Sequence, residues 1–125
     1  ADIVRMQAEQ AKFADAVRAA DALAMIGTNR DFHVAIAEAG RNRYYTELFT
    51  RLLDEGRRIL RVYDSSFDDH LPDPFVAEHA GLIAAIAARD ADAAEQLAGR
   101  HARQIIAQLQ AFLASGAGAS IALGD

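Results

Sequence analysis

Apolar residues recur every three or four positions through most of the chain, and this helical spacing constrains the fold more than any other feature. No stretch alternates apolar and polar residues over the length of a strand, and β-branched residues do not cluster. Alanine is abundant and only two prolines occur, which favours helices further. The sequence therefore predicts an all-α fold.

Capping residues and glycines place five predicted helices. They cover about residues 3–20, 22–39, 42–63, 75–88 and 91–114. Asp21 is expected to cap the second helix, and Asp90 or Asp92 the last, because a short polar side chain can accept a hydrogen bond from a free backbone N–H at a helix start. Gly40 is expected just past the end of the second helix, where a left-handed residue is common.

The predicted helices differ in where their apolar residues lie. On the first helix they are Val4, Ala8, Ala11 and residues 13–17. On the third helix they form a broad stripe of Leu48, Phe49, Leu52, Leu53, Ile59 and Leu60. The second helix is predicted to continue through Gly27 and Thr28, which are its weakest positions.

Two segments have the composition of irregular structure. Residues 64–74 combine aspartates, serines and both prolines, and are predicted to form the one interior loop. Residues 115–125 mix Gly, Ser and Ala without a periodic stripe and are predicted to be a flexible tail. Residues 1–114 are then expected to form a single domain, which fits a chain of 125 residues with 52% apolar content.

The charge and cysteine content exclude several functional classes. The net charge of −5, with a single lysine, argues that this chain does not itself bind a nucleic-acid backbone, because that affinity comes largely from clustered Lys and Arg. The absence of cysteine removes disulfides and thiolate metal sites. No apolar run approaches the length of a membrane span, and no leader sequence is visible. A soluble, cytoplasmic protein is expected, without membrane contact.

Three of the four histidines fall on apolar stripes of three different predicted helices. His33 follows Ile26 and Asn29 at helical spacing and precedes Ile36. The other two stripes contain Phe75, His79, Leu82, Ile83 and Ile86, and Ala94, Leu97, Ala98, His101, Ile105, Leu109 and Phe112. The fourth histidine, His70, lies in the acidic loop.

Each of these histidines can be a hydrogen-bonded core residue, or the three can share an ion. Three buried imidazoles without partners would each cost about 1–3 kcal/mol. Convergence on one divalent metal would satisfy them together, because neutral imidazole is a preferred ligand of first-row metals. Asn29 lies one turn before His33, so its side-chain oxygen is a candidate fourth ligand.

Two stretches give these histidines a more specific context. The run NRDFHVAIAEAGRN, residues 29–42, resembles the Asp-x-x-x-His segment of the FCD domain, the ligand-sensing domain of FadR-subfamily GntR-type transcription regulators. The run EHAGLIAAIAARDADAAEQLAGRHARQI, residues 78–105, is similar to the closing signature of that family, in which two histidines flank an Ala-Ile, Asp and Ala pattern. The resemblance covers nearly all of the chain that is expected to be ordered.

The resemblance implies an antiparallel bundle of about five to six helices that encloses a metal beside a pocket for a small organic acid. By position, His33, His79 and His101 would be the imidazole ligands of the metal, with zinc expected first and nickel or manganese as alternatives. Asn29 stands where the family usually has an aspartate, and a neutral amide binds a cation more weakly than a carboxylate. Asp31 is two residues from His33 and faces elsewhere on a helix.

The resemblance also implies partners. Regulators of this family carry a winged helix-turn-helix ahead of the sensing domain, and none is recognisable here, so the sequence resembles an excised effector domain that would reach DNA only through that segment. A homodimer is expected. For a carboxylate effector, Arg57 and Arg61, one turn apart, and Tyr63 are the predicted contacts, and open metal positions would allow a hydroxy acid or dicarboxylate to chelate.

Two other functional classes stay open at this point. Three histidines on a metal with open positions also describe a hydrolase site. Such an enzyme needs a general base, but no HExxH pair is present and Glu78 is expected to point away from its neighbour His79. Alternatively, the chain is a helical interaction module whose histidines are structural. The sensor interpretation, which involves no catalysis, is favoured.

Overall fold

Six α-helices make up the fold in a computed structural model that describes residues 1–65 and 74–116. They are α1 (Asp2–Arg18), α2 (Ala22–Ala39), α3 (Arg43–Glu55), α4 (Arg57–Ser65), α5 (Pro74–Ala87) and α6 (Ala91–Ala114). No strand occurs within these residues, so the all-α prediction is confirmed. None of the described helices is long and apolar enough to cross a membrane.

Three helices begin at capped positions. The side chains of Asp21, Asn42 and Asp90 accept hydrogen bonds from backbone N–H groups three residues later, at 3.0, 3.1 and 2.9 Å. Each cap stabilises its helix by about 1 kcal/mol. The predicted bounds of α2 and α6 therefore match the observed ones.

The turns before these caps correct the prediction for Gly40. Gly40 ends α2 in the right-handed region, at φ −71°, and the left-handed residue is Arg41, at φ 57°. Ala20 and Arg89 adopt the same left-handed conformation before their caps, at φ 52° and 57°. Because these connections are only three residues long, consecutive helices fold back on each other as antiparallel neighbours.

The structure interrupts one predicted helix and leaves another whole. The segment predicted as one helix from residue 42 to 63 is interrupted at Gly56 and divides into α3 and α4, with α4 extending to Ser65. By contrast, α2 runs unbroken through Gly27 and Thr28. The Thr28 hydroxyl donates to the Ala24 carbonyl at 2.6 Å, so its polar group is satisfied within the helix.

The buried face of α1 matches the prediction in part, because Phe13 and Ala16 are buried as predicted whereas the earlier predicted residues are not. Val4 is 68% exposed, and Ala8 and Ala11 are also exposed. The face that packs inward carries Met6, Gln10, Phe13 and Ala16. Packing against α2 and α5 selected this stripe, which contains the larger side chains Met6 and Phe13 and therefore buries more apolar area.

The core consists of two groups of buried side chains. One contains Met6, Phe32, Ala35, Leu82 and Ile83, and the other contains Phe13, Ala16, Ala22, Met25 and Phe75. His79 lies between the two groups, because its ring stacks on Phe32 at 4.2 Å and packs against Phe13 at 4.7 Å between ring centroids. The histidine site is therefore built into the centre of the bundle.

Parts of the predicted loop and tail belong to ordered elements. Residues 64 and 65 are in α4 and residue 74 begins α5. The rest of the predicted loop, including His70, lies outside the described residues. Ser115 and Gly116 form the turn that ends α6, and the rest of the predicted tail, 117–125, also lies outside them.

Candidate metal centre

Helices α2, α5 and α6 bring His33, His79 and His101 together. One ring nitrogen of each lies within 4.8 Å of those of the other two. The ring centroids are 5.0 Å apart for His33 and His79, 5.5 Å for His33 and His101, and 5.2 Å for His79 and His101. Three imidazole ligands at this separation can close on one ion with a small inward movement, because zinc binds nitrogen at about 2.0–2.1 Å.

His79 is held in one tautomer by Gln10 of α1. The Gln10 side-chain N–H donates to the Val76 carbonyl at 2.9 Å, which leaves the amide oxygen facing His79 Nδ1, also at 2.9 Å. An amide oxygen only accepts, so Nδ1 carries the proton and Nε2 keeps its lone pair. His79 is 0% exposed, and its Nε2 is buried without a hydrogen-bond partner among the described residues.

His101 is oriented by a carboxylate. The Glu78 side chain accepts a hydrogen bond from His101 Nδ1, which directs the other ring nitrogen of His101 away from Glu78. Carboxylate–histidine pairs of this kind commonly fix the ligand geometry of metal sites. As expected, Glu78 is not directed at its sequence neighbour His79, because its carboxylate is hydrogen-bonded to His101 on α6.

The protein environment keeps two of the imidazoles neutral. Burial, followed by the charge that His101 would carry, lowers the pKa of His33 from 6.5 to about 4. Burial, followed by the charges of His33 and His101, lowers the pKa of His79 to about 2. Since a neutral imidazole is the metal-binding form, both rings are ready to act as ligands at neutral pH.

A cavity of about 310 Å³ adjoins the histidines. All six helices contribute to its wall, which includes His33, His101, Asn29 and Tyr63. Tyr63 is buried, and its hydroxyl donates to Gln108 of α6 at 3.1 Å. Asn29 therefore shares a wall with His33, as the one-turn spacing predicted.

The arginines predicted as effector contacts, Arg57 and Arg61, lie outside the described lining of the cavity. Arg57 is exposed, and its guanidinium lies beside Gly27 of α2. Asp31 is exposed and pairs with Arg30 at 3.0 Å, in keeping with its exclusion as a ligand.

Sequence reasoning missed the two residues that orient the histidines. Gln10 is a polar residue within the stripe Met6, Gln10, Phe13 and Val17, whose spacing of four, three and four residues is helical. A single buried amide among large apolar residues was therefore a detectable signal. Glu78 gave no such signal, because its partner His101 is on another helix, 23 positions away.

Comparison with known proteins identifies the family. The model of the FCD domain family matches residues 1–104. No curated protein and no solved structure shows significant similarity to the chain. The FCD domain is the regulatory, ligand-sensing part of GntR-type transcription regulators, and the match covers most of the 125 residues, all six helices in whole or part, and all three clustered histidines. This chain belongs to the FCD domain family.

Proposed function

We propose that this chain senses a small carboxylate at a divalent metal held by His33, His79 and His101, with Asn29 as an additional oxygen ligand. Imidazole ligands suit zinc and nickel better than manganese, which prefers oxygen ligands, and zinc is the ion that we propose first. When bound, the metal supplies a Lewis-acidic centre that attracts an anionic ligand. The protein contributes three imidazoles, two of which are oriented by Gln10 and Glu78, and an adjoining cavity.

The observation that carries this proposal is the unsatisfied Nε2 atom of His79. A buried polar atom without a partner costs about 1–3 kcal/mol, yet here Gln10 holds the ring so that this lone pair stays available. Two further imidazoles lie within reach of the same point. A metal ion would account for this cost and also for the convergence of the other two imidazoles on the same point.

Regulation would follow from the helices that meet at this centre. Ligand binding between α2, α5 and α6 would favour one packing of these helices, and a winged helix-turn-helix in the same regulator would respond to that difference. Homodimerisation and cytoplasmic location, as for a FadR-subfamily regulator, belong to the same proposal. Glu78 is already hydrogen-bonded to His101, which favours a binding site over a hydrolase that would need a free base.

The proposal is tested by a thermal-stability screen of carboxylates against the zinc-loaded and the EDTA-treated chain. The panel contains hexanoate, adipate, lactate and citrate, with hexan-1-ol as the uncharged control. At 100 times its Kd, a ligand stabilises by about 2.7 kcal/mol, which is roughly 10 °C for a domain of this size. We expect such a shift for at least one carboxylate, and with zinc only. A panel without any zinc-dependent shift would contradict the proposal.

The orienting role of Gln10 gives a separate prediction. Gln10→Ala removes the acceptor that holds the His79 tautomer, so zinc affinity should fall about 10–100-fold, as is usual for the loss of a residue that orients a ligand. Isothermal titration with zinc measures the change. Gln7→Ala is the matched control, because Gln7 is on the same helix but exposed. Equal zinc affinity in both variants would show that Gln10 does not position His79.

A further inference from the structure

The cavity beside the histidines has an unusually apolar wall for a site that would receive an organic acid. Its described apolar lining includes Phe13, Ile26, Phe49, Leu60, Phe75 and Ile106. Polar side chains come from Asn29, His33, Tyr63 and His101, and among the described lining residues none carries a fixed charge. Any negative charge inside must therefore be balanced at the histidine centre.

The polar groups are concentrated at one end. Asn29 and His33 are one turn apart on α2, and the rings of His33 and His101 are 5.5 Å apart. The fourth polar group, the Tyr63 hydroxyl, already donates its proton to Gln108. The cavity thus has Asn29 and two histidines close together, and apart from the Tyr63 hydroxyl the rest of its described lining is hydrocarbon and aromatic.

We propose that the effector is a monocarboxylic acid with a hydrocarbon body, bound with its carboxylate at the histidine end. This inference rests on the proposed function and narrows its ligand class. Away from the histidine end, the described lining residues offer a second carboxylate no cation, and the Tyr63 hydroxyl already donates to Gln108. Burying an unpaired charge is strongly unfavourable. A hydrocarbon body instead gains from leaving water at the same wall.

Asn29 adds a charge argument for a single carboxylate. Three neutral imidazoles and an amide leave the charge of a divalent ion uncompensated in its immediate ligand set. The carboxylate of the effector supplies negative charge that an aspartate at position 29 would otherwise provide. An anionic ligand is thus favoured at the ion itself and disfavoured elsewhere in the cavity.

The cavity volume guides the choice of probe acids. About 310 Å³ corresponds to about ten water molecules at roughly 30 Å³ each. An acid of about ten non-hydrogen atoms therefore fits, and hexanoate and phenylacetate are suitable probes. Adipate has the same six-carbon chain as hexanoate, with a second carboxylate at the other end, and so isolates the effect of that charge.

The test is isothermal titration of the zinc-loaded chain with hexanoate and adipate. We expect hexanoate to bind at least about tenfold more tightly, because only adipate must bury a second charge against the apolar wall. Adipate binding as tightly as hexanoate, or more tightly, would overturn the inference while leaving carboxylate sensing intact. If no carboxylate binds, the proposed function fails as well. Zinc-independent hexanoate binding would also overturn the inference, because the carboxylate would then not lie at the metal.

A positive charge added to the apolar part of the cavity wall provides a second test of the proposed orientation. Ile106 lines the cavity, yet its side chain is 54% exposed, so Ile106→Arg is expected to fold. The new guanidinium can pair with the second carboxylate, which should shift the hexanoate-to-adipate affinity ratio at least about tenfold towards adipate. Leu113→Arg, on the same helix and 44% exposed, is the matched control outside the described lining, and should leave the ratio unchanged. An unchanged ratio in Ile106→Arg would contradict the proposed orientation.

Discussion

The His79→Ala variant is expected to lose stoichiometric zinc. Zinc binding to four-ligand structural sites is worth about 10–16 kcal/mol, so one ligand contributes roughly 3–4 kcal/mol, or a factor of about 10²–10³ in Kd. Of the three proposed ligands, His79 is expected to be the hardest to replace, because it is fully buried and fixed by Gln10. Elemental mass spectrometry of tag-free, zinc-incubated and desalted protein measures metal per chain, with about one zinc expected in the wild type.

Two controls separate ligand loss from unfolding. His79→Ala leaves a space between Phe13 and Phe32, so circular dichroism of the metal-free variant must first show a folded helical protein. His101→Asn removes another ligand from a less buried position, and it should lower zinc content in the same way. His70→Ala removes the histidine that is not on an apolar stripe, and should keep zinc. A wild type that retains no zinc, or a His79→Ala variant that retains all of it, would rule out the proposed centre.

The metal-free protein is expected to lose stability as the pH falls from about 6.5 to 4. In the unfolded chain a histidine takes up a proton near its ordinary pKa of 6.5, whereas folded His33 does so only near a pKa of about 4. Between these values the unfolded state binds more protons, so the free energy of unfolding decreases as the pH decreases. His33 alone accounts for about 3 kcal/mol over this interval. His79, whose pKa is lowered further, acts in the same direction.

Urea unfolding of EDTA-treated protein at pH 7, 6, 5 and 4 measures this dependence. His33→Gln removes one of the two titrating groups, so its unfolding free energy should depend on pH less steeply by about 1.4 kcal/mol per unit. His70→Ala serves as the control for the loss of any histidine. A wild-type unfolding free energy that stays constant between pH 7 and 5 would show that the buried imidazoles are not held neutral by the fold.

Local chemistry made much of the secondary structure predictable. Asp21 and Asp90 fixed the starts of α2 and α6, because capping depends only on residues within the first turn. The break at Gly56 and the continuity of α2 through Gly27 were not predictable in the same way. Both helices contain a glycine of similar intrinsic cost, and tertiary packing decides which one interrupts its helix.

The predicted effector contacts show that spacing along one helix does not tell which of its sides faces the cavity. Arg57 and Arg61 are one turn apart on α4, and this spacing says only that they share a side of that helix. Which side faces the cavity depends on how α4 packs against α2, and the described wall instead receives Leu60 and Tyr63 from α4. The spacing of Asn29 and His33 was informative because both are on one helix that is buried along that face.

The sequence alone determined the all-α class, the starts of the capped helices, the resemblance to the FCD domain and the presence of three histidines on apolar stripes. These properties depend on neighbours within one or two helical turns, or on residue spacing along the chain. Only the tertiary structure decided that the three stripes meet and that the adjoining cavity is mostly apolar in its described lining. It also decided that Gln10 binds Nδ1 of His79 and leaves the Nε2 lone pair available beside the other two rings. The physical reason is that side chains on different helices meet according to the angles and offsets at which whole helices pack, and these follow from the burial of all their apolar faces together.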